Sequence, residues 1–125
     1  HPSTGASWEG FCVEQICGLL PPGAQVSFYR TAAGAELDLV VEHGSRTLGF
    51  EIKFSTVPKV GKGFWQACGD LRLDRAFVVA PVKEGWPMKS QVQCPVDVIG
   101  PLSLPPALQS LRLKGKPPSP APRSR

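Results

Sequence analysis

Two neighbouring stretches with strictly alternating side chains constrain the fold of this chain more than any other feature. The odd positions of residues 36–42 and the even positions of residues 48–54 are all apolar, namely Leu37, Leu39, Val41, Leu48, Phe50, Ile52 and Phe54. A period of two is typical of β-strands, because successive side chains point to opposite faces of a sheet. A four-residue turn at 43–46 would pair Leu37 with Ile52 and Leu39 with Phe50, which gives the hairpin one apolar face.

The opposite face of this hairpin carries acids and a lysine. The four-residue turn sets Asp38 opposite Glu51 and Glu36 opposite Lys53, whereas a two-residue turn sets Glu36 opposite Glu51. Like charges directly opposite one another destabilise a sheet, and a divalent cation between the carboxylates would reverse that effect. The alternative is a solvated face with a Glu36–Lys53 ion pair, since acids and lysines are common on exposed strands.

Two carboxylates and an ammonium group are the side chains that metal-assisted phosphodiester hydrolysis needs. Mg²⁺ favours oxygen ligands, usually one or two carboxylates together with water and substrate phosphates. Such an ion lowers the pKa of water and neutralises phosphate charge. Lys53 would stabilise the transition state or position the nucleophile. The pattern therefore predicts a site in which Asp38 and Glu51 bind Mg²⁺ or Mn²⁺, with a plain solvated hairpin as the alternative.

Periodicity and turn signals place further elements around the hairpin. The predicted elements are a helix at 7–19 with Ser7 as its N-cap, strands at 25–30, 36–42 and 47–54, a helix at 64–73, strands at 75–80 and 95–100, and a helical turn or two within 104–113. Residues 81–87 are predicted as a loop. The order α-β-β-β-α-β-β indicates an α/β fold with a mixed β-sheet flanked by helices.

The charge of the chain is unevenly distributed. A length of 125 residues suggests one domain, predicted at 1–113, and residues 114–125 form a basic, proline-rich tail that is expected to be disordered. The other 113 residues carry ten basic and ten acidic side chains. This part lacks the global basic footprint of many nucleic-acid binders, so binding needs a local patch, for which Lys53, Lys59 and Lys62 are the candidates.

Cysteine spacing and hydropathy exclude some classes of protein. The four cysteines form no CxxC pair, so neither a disulfide framework nor a structural zinc site is expected. Reduced, partly buried thiols are typical of a cytoplasmic protein. No stretch of 18 apolar residues occurs, so no transmembrane helix is expected.

The order of elements and acids resembles the PD-(D/E)XK nuclease superfamily, which has the restriction-endonuclease-like fold. The core of that superfamily is a helix, a three-strand meander, a helix and a further strand. Its motif, an acid on the second strand and (D/E)-x-K on the third, matches Asp38 and Glu51-Ile52-Lys53, although Leu37 replaces the proline of the motif's name. The resemblance implies a Mg²⁺- or Mn²⁺-dependent DNase-like phosphodiesterase.

The same resemblance implies Glu9 as a further catalytic acid, which completes or orients the site, together with several supporting residues. A helix acid in a G-x-x-x-E pattern fits Glu9, with Glu14 as the competing acid, and a polar side chain on the second helix fits Gln66. Glu36 is a further supporting acid. Arg30 either contacts phosphate or pairs with Glu36.

A narrower resemblance covers most of residues 5–104. The segments SWEGFCVEQI, FYRTAAGAELDLVV, FEIKFS and RAFVVAPV look like the C-terminal domain of a large family of bacterial and archaeal AAA-type ATPases. This likeness implies that the chain is a fragment, with an ATPase domain N-terminal to it. It leaves two functions open, because members of the superfamily need not be active. One is the metal-dependent nuclease, and the other is an inactive module that binds nucleic acid, a partner protein or its own ATPase.

Overall fold

The hairpin predicted from the alternating residues lies at the centre of a six-stranded sheet. The computed structural model describes residues 4–112, so the predicted tail at 114–125 lies outside the described residues. Strands β2 (Glu36–His43) and β3 (Arg46–Ile52) are antiparallel, with Leu39 opposite Phe50. This register is the one predicted for the four-residue turn. Gly44 within the turn has φ 61°, a left-handed conformation that favours glycine.

Helices and further strands follow the predicted order. The other elements are α1 (Thr4–Gly18), β1 (Gln25–Arg30), α2 (Lys62–Leu71), β4 (Arg75–Val79), β5 (Trp86–Pro87), β6 (Val96–Ile99) and α3 (Leu104–Gln109), with short 3₁₀ helices at Pro101–Ser103 and Ser110–Arg112. The strand order is β1-β2-β3-β4-β6-β5. The β3–β4 and β4–β6 pairs are parallel and the other three pairs are antiparallel. A mixed α/β sheet flanked by helices is therefore confirmed.

Three local predictions are wrong. Ser7 lies inside α1 and does not cap it, because Thr4, Gly5 and Ala6 are already helical. The predicted loop at 81–87 contains the two-residue strand β5, whose pairing with β6 continues as a hydrogen bond from Met88 N–H to the Val96 carbonyl, 2.8 Å. The third strand ends at Ile52, two residues before the predicted end, so Phe54 lies outside the ladder. Element ends depend on tertiary partners, which alternation alone does not reveal.

Helices bury both faces of the sheet. Cys12 and Ile16 of α1 and Leu104 and Leu108 of α3 pack on the face that carries Phe50. On the opposite face, the α2 side chains Phe64, Ala67 and Cys68 pack against the sheet. Double coverage explains why residues 76–79 of β4, which follow the exposed Arg75, form a continuous apolar run, as predicted for a strand buried on both sides.

Within residues 4–112, no helix combines the length and the apolar character needed to cross a membrane.

Candidate functional site

A β-bulge on β2 lies at the first predicted ligand. Between the registered pairs Ser27–Val40 and Tyr29–Leu37, β2 advances by three residues while β1 advances by two. The extra residue lies at Asp38–Leu39. Bulges increase local twist and re-aim side chains, and they are common next to active sites. The bulge therefore sets the direction of the Asp38 backbone.

The bulge also changes the face of the sheet on which the first residues of β2 pack. Leu39 and Val41 pack on the α1 face, whereas Leu37 and Val40 pack on the α2 face. The prediction that Leu37 shares a face with Leu39 is wrong, because one extra residue interrupts the period of two. Gly49 of β3 makes room for Leu37, since a Cβ at this glycine would lie 2.6 Å from Leu37 Cδ2.

Where β2 and β3 stop pairing, two side-chain carboxyl groups take the place of backbone carbonyls as hydrogen-bond acceptors. The last registered pair at this end is Leu39–Phe50. Beyond it, the N–H of Asp38 donates to Oε1 of Glu51 at 3.2 Å, and the N–H of Ile52 donates to Oδ2 of Asp38 at 2.8 Å. Each strand thus supplies a carboxyl group that accepts a backbone N–H of the other. The predicted juxtaposition of Asp38 and Glu51 is present in the structure.

Burial makes Glu51 the unusual acid of this pair. Only 9% of the residue is exposed, and it lies on the α2 side of the sheet, where its charge reaches Cys68. Desolvation by burial, followed by the negative charge of Asp38, raises the pKa of Glu51 from 4.5 to about 7. The Lys53 cation opposes this rise. A cation within reach of both acids would offset the cost of burying the charge.

Lys53 extends the carboxyl pair toward solvent. Its Nζ lies 3.6 Å from Oε2 of Glu51, and its side chain is 37% exposed. The backbone N–H of Lys53 donates to the Val79 carbonyl of β4 at 2.9 Å, which fixes the start of the side chain. The ammonium is therefore held beside the acids and remains accessible to a ligand.

Glu36 and Arg30 pair with each other at the neighbouring end of β1 and β2. Arg30 Nη2 lies 3.8 Å from Glu36 Oε1, and both side chains are more than half exposed. The structure therefore pairs Glu36 with Arg30 and Lys53 with Glu51, and the alternative Glu36–Lys53 pair is wrong. An exposed ion pair of this length exchanges readily with solvent and other anions.

The predicted helix acids do not complete a three-acid group. Glu9 and Glu14 are exposed on α1. No three His, Cys, Asp or Glu side chains within the described part of the chain come together in an arrangement that could hold a metal ion. The structure therefore brings together Asp38, Glu51 and Lys53, and leaves Glu9 and Glu14 at the surface of α1.

Gln66 hydrogen-bonds within its own helix. Its Nε2 donates to Oδ1 of Asp70 at 2.9 Å, and the hydroxyl of Tyr29 donates to the other oxygen of the same carboxylate at 3.0 Å. These two hydrogen bonds to Asp70 connect α2 with β1. The observed partner of the glutamine amide is thus Asp70 and not the carboxyl pair.

The two predicted backbone-contact lysines flank the start of α2. Lys59 lies in the preceding loop and Lys62 is the first helical residue; both are exposed. Gly63 packs so tightly against the β1–β2 connection that a Cβ there would lie 2.5 Å from the Gly34 carbonyl oxygen. Lys62 therefore lies close to the end of β2 at which Asp38 is found.

Sequence reasoning missed two side-chain contacts, one on the α2 side near Glu51 and one on the α1 side of the sheet. The side chains of Cys68 and Cys94 hydrogen-bond to each other, which raises the pKa of Cys68 and lowers that of Cys94. Trp8 of α1 contacts Phe54, with ring centroids 6.0 Å apart. Neither pair has a sequence signal, because the partners are more than 25 residues apart and no motif links them.

A family comparison covers the elements that build this site. The profile of a domain of unknown function, DUF4143, matches residues 4–99, from the start of α1 to the end of β6. The chain belongs to the DUF4143 family. The match includes the hairpin with Asp38, Glu51 and Lys53, so these residues lie within the family domain.

Two mycobacterial proteins are similar to this DUF4143 chain. They are the uncharacterized protein Rv2008c of Mycobacterium tuberculosis and the uncharacterized protein Mb2031c of Mycobacterium bovis, each 41% identical over 100 residues. The alignment covers 79% of this chain but 22% of each relative, so the chain spans about a fifth of the length of these relatives. No solved structure matches the chain.

Proposed function

We propose that this DUF4143 domain is a metal-dependent, DNase-like phosphodiesterase that acts on nucleic acid and has the restriction-endonuclease-like fold. The observation that carries the proposal is the crossed arrangement at the end of the β2–β3 ladder. Asp38 and Glu51 meet there, and Lys53 lies 3.6 Å from Glu51. This spatial arrangement supports the role that the D…(E)-x-K resemblance implies for these residues.

The donor atoms fit a hard divalent cation. Asp38 and Glu51 offer carboxylate oxygens from adjacent strands, and such oxygens are the ligands that Mg²⁺ and Mn²⁺ favour. When bound, the ion would lower the pKa of water and neutralise phosphate charge. Two protein carboxylates leave coordination positions for water and a substrate phosphate, which is the usual way in which proteins hold Mg²⁺.

Each remaining residue has a defined task in this proposal. The Lys53 ammonium donates hydrogen bonds to a non-bridging phosphate oxygen or positions the attacking water. Arg30, Lys59 and Lys62 are exposed and contact the phosphate backbone on either side. Glu36 pairs with Arg30. Glu9 is proposed to complete or orient the site, and Gln66 to support it through Asp70, to which it is hydrogen-bonded.

The domain is proposed to work inside a longer protein that contains an AAA-type ATPase. The coverage of 22% of each mycobacterial relative supports a larger whole protein. The ATPase assignment rests on the resemblance of residues 5–104 to the C-terminal domain of such ATPases.

Manganese binding tests the first step. We expect Mn²⁺ to bind the wild-type domain and to bind at least tenfold more weakly to Asp38→Asn and Glu51→Gln. Glu42→Gln is the matched control, because Glu42 is an exposed acid at the other end of β2. Electron paramagnetic resonance of free Mn²⁺ reports the bound fraction directly. Equal binding by wild type and both site variants would overturn the metal site.

Cleavage tests the second step. With Mn²⁺ bound, we expect hydrolysis of single- or double-stranded DNA, and a loss of about 10²–10³-fold in rate for Lys53→Met. Bound metal without any hydrolysis would refute the phosphodiesterase.

An inactive binding module is the second candidate, and one observation favours it. Both oxygens of Glu51 already have partners, because Oε1 accepts the N–H of Asp38 and Oε2 pairs with Lys53. The acids therefore satisfy a structural need without a ligand. Under this proposal the fold binds nucleic acid, a partner protein or its own ATPase, and stability is independent of millimolar Mg²⁺ or Mn²⁺.

A further inference from the structure

Two buried thiols contact each other between α2 and the segment that leads into β6. The side chains of Cys68 on α2 and Cys94 hydrogen-bond to each other, and both belong to the core on the α2 face of the sheet. Each is a free thiol that is less than a tenth exposed. The other two cysteines lie on α1, where Cys12 packs on the opposite face of the sheet and Cys17 is exposed. The contacting pair is therefore separate from the thiols of α1.

The backbone on both sides of this thiol pair is held in place. Gly69, the next residue of α2, faces the β5–β6 connection at residues 88–95, because a Cβ at this glycine would lie 3.8 Å from Val92 Cγ1. Within the connection, the hydroxyl oxygen of Ser90 lies 2.9 Å from the carbonyl oxygens of both Val92 and Cys94. A disulfide needs two cysteines whose backbones lie close together and whose side chains point at each other. Two packed segments present the sulfur atoms in this way.

The two thiols differ in their access to solvent. Cys94 is 6% exposed and follows the exposed Gln93 in a segment without regular structure, whereas Cys68 is 2% exposed within a helix. Irregular segments open locally at a lower free energy than packed helices do. The hydrogen bond from Cys68 also lowers the pKa of Cys94, and the thiolate is the nucleophile in thiol–disulfide exchange. Cys94 is therefore the thiol that a small oxidant reaches first.

We propose that Cys68 and Cys94 form a reversible disulfide when the domain meets a low-molecular-weight disulfide such as oxidised glutathione. The Cys94 thiolate attacks one glutathione sulfur, forms a mixed disulfide and releases one glutathione thiolate. The Cys68 sulfur then attacks the Cys94 sulfur, closes the bridge and releases the second glutathione. The two protein thiol protons pass to the two glutathione thiolates, so two thiols are oxidised and one glutathione disulfide is reduced.

The bridge would link α2 covalently to the β5–β6 connection. It would constrain the helix that covers the Glu51 side of the sheet, and it would stabilise the fold by restricting the unfolded chain. Transient disulfides of this kind are typical of redox-sensing proteins. This inference goes beyond the proposed function and does not rest on it.

Oxidation of the folded domain with oxidised glutathione tests the inference. The starting protein is Cys17→Ser, because the exposed Cys17 would form an adduct of its own. We expect the intact mass to fall by two hydrogen atoms and peptide mapping to find Cys68 linked to Cys94. Dithiothreitol should reverse both changes. The oxidised domain should melt about 5–15 °C higher than the reduced one.

Three variants in the same Cys17→Ser background test the order of attack. Cys68→Ala lacks the thiol that closes the bridge, so it should retain one glutathione on Cys94. Cys94→Ala should leave Cys68 unmodified, because no thiol that the oxidant reaches first remains beside it. Cys12→Ala is the matched control, since it removes a buried thiol from the opposite face of the sheet and should leave the bridge intact.

The outcomes that would overturn the inference are distinct. Absence of a Cys68–Cys94 linkage after oxidation, or a linkage that forms only in urea, would show that the folded domain does not present the two sulfurs for bonding. Equal glutathione adducts on Cys68→Ala and Cys94→Ala would refute the proposed order of attack. None of these results bears on the carboxyl pair, which the Mn²⁺ titration with Asp38→Asn tests separately.

Discussion

Oε1 of Glu51 accepts the backbone N–H of Asp38 at 3.2 Å, across the point where two paired strands separate. In the opposite direction across the two strands, the Asp38 carboxyl group accepts the backbone N–H of Ile52 at 2.8 Å. The acids are thus the structural end of the β2–β3 ladder as well as the candidate ligands. Substitutions here are expected to act on stability and, under the proposed function, on metal binding as well, and the variants below are chosen to separate the two effects.

Glu51→Gln is expected to stabilise the metal-free domain at alkaline pH. Burial raises the folded-state pKa of Glu51 above the ordinary 4.5, to about 7. The folded state therefore binds more protons than the unfolded state between these values, and wild-type stability falls as pH rises through about 7. The glutamine side chain of the variant never ionises. At about pH 8 the variant should exceed the wild type by about 2–3 kcal/mol.

Urea unfolding in EDTA at a series of pH values measures this difference. Below about pH 4.5 both side chains are neutral, so the two proteins should have nearly equal stability there. A gap that stays constant over the whole pH range would mean that Glu51 ionises normally.

Replacing Lys53 should move the pH transition upward. The Lys53 cation lowers the pKa of Glu51 against the effects of burial and of Asp38. In Lys53→Met the Glu51 carboxyl should lose its proton at a higher pH than in the wild type. Carbon-13 NMR titration of the glutamate carboxyl carbons reports the midpoint. Lys89→Met, in the exposed segment between β5 and β6, should leave the midpoint unchanged.

Asp38→Ala and Asp38→Asn should differ in stability but not in metal binding. Alanine removes the acceptor of the Ile52 N–H, and an unpaired backbone donor costs about 1–3 kcal/mol. Asparagine keeps an acceptor oxygen in the same place. We expect Asp38→Asn to be more stable by about that amount, while both variants lose Mn²⁺ binding. Thermal unfolding and the Mn²⁺ titration on the same samples check both parts, and equal melting temperatures would show that the hydrogen bond is dispensable.

Gly63→Ala should destabilise the domain, although alanine is a better helix former than glycine. The added Cβ would lie 2.5 Å from the Gly34 carbonyl oxygen, and relieving such an overlap costs about 1–3 kcal/mol. Gly69→Ala, in the same helix, meets only Val92 Cγ1 at 3.8 Å and should stabilise the domain by about 0.5–1 kcal/mol. Chemical denaturation of the pair gives the sign of each effect. Stabilisation by both changes would contradict the close packing of α2 on the β1–β2 connection.

Leu108→Ala should show that α3 is part of the core. Leu108 is 1% exposed and packs on the α1 face of the sheet, so its truncation should cost about 2–5 kcal/mol. Leu102, two residues before α3, is 88% exposed, and Leu102→Ala should change stability by less than about 0.5 kcal/mol. Equal urea unfolding midpoints for the wild type and Leu108→Ala would mean that the α3 contacts contribute little to stability.

The register of the central hairpin could be predicted because one local rule governs it. Alternation with a period of two and a turn containing Gly44 fix which residues of β2 face which residues of β3, as the Leu39–Phe50 pair confirms. The placement of Glu9 and Gln66 could not be predicted in this way. Their positions depend on how α1 and α2 rotate against the sheet, and that rotation is set by packing contacts distant in sequence.

The sequence by itself determined the order of the elements apart from β5, the mixed sheet and the opposition of Asp38 to Glu51, since each follows from side-chain periodicity and turn chemistry within a few residues. Only the tertiary structure decided which face of the sheet these side chains occupy and how deeply they are buried. The bulge at Asp38–Leu39 arises from pairing with β1, and it moves Leu37 to the α2 face. The burial of Glu51 and the contact of Trp8 with Phe54 likewise come from packing of α2 and α1 on the sheet. Electrostatics and exposure depend on these long-range contacts, and no local pattern encodes them.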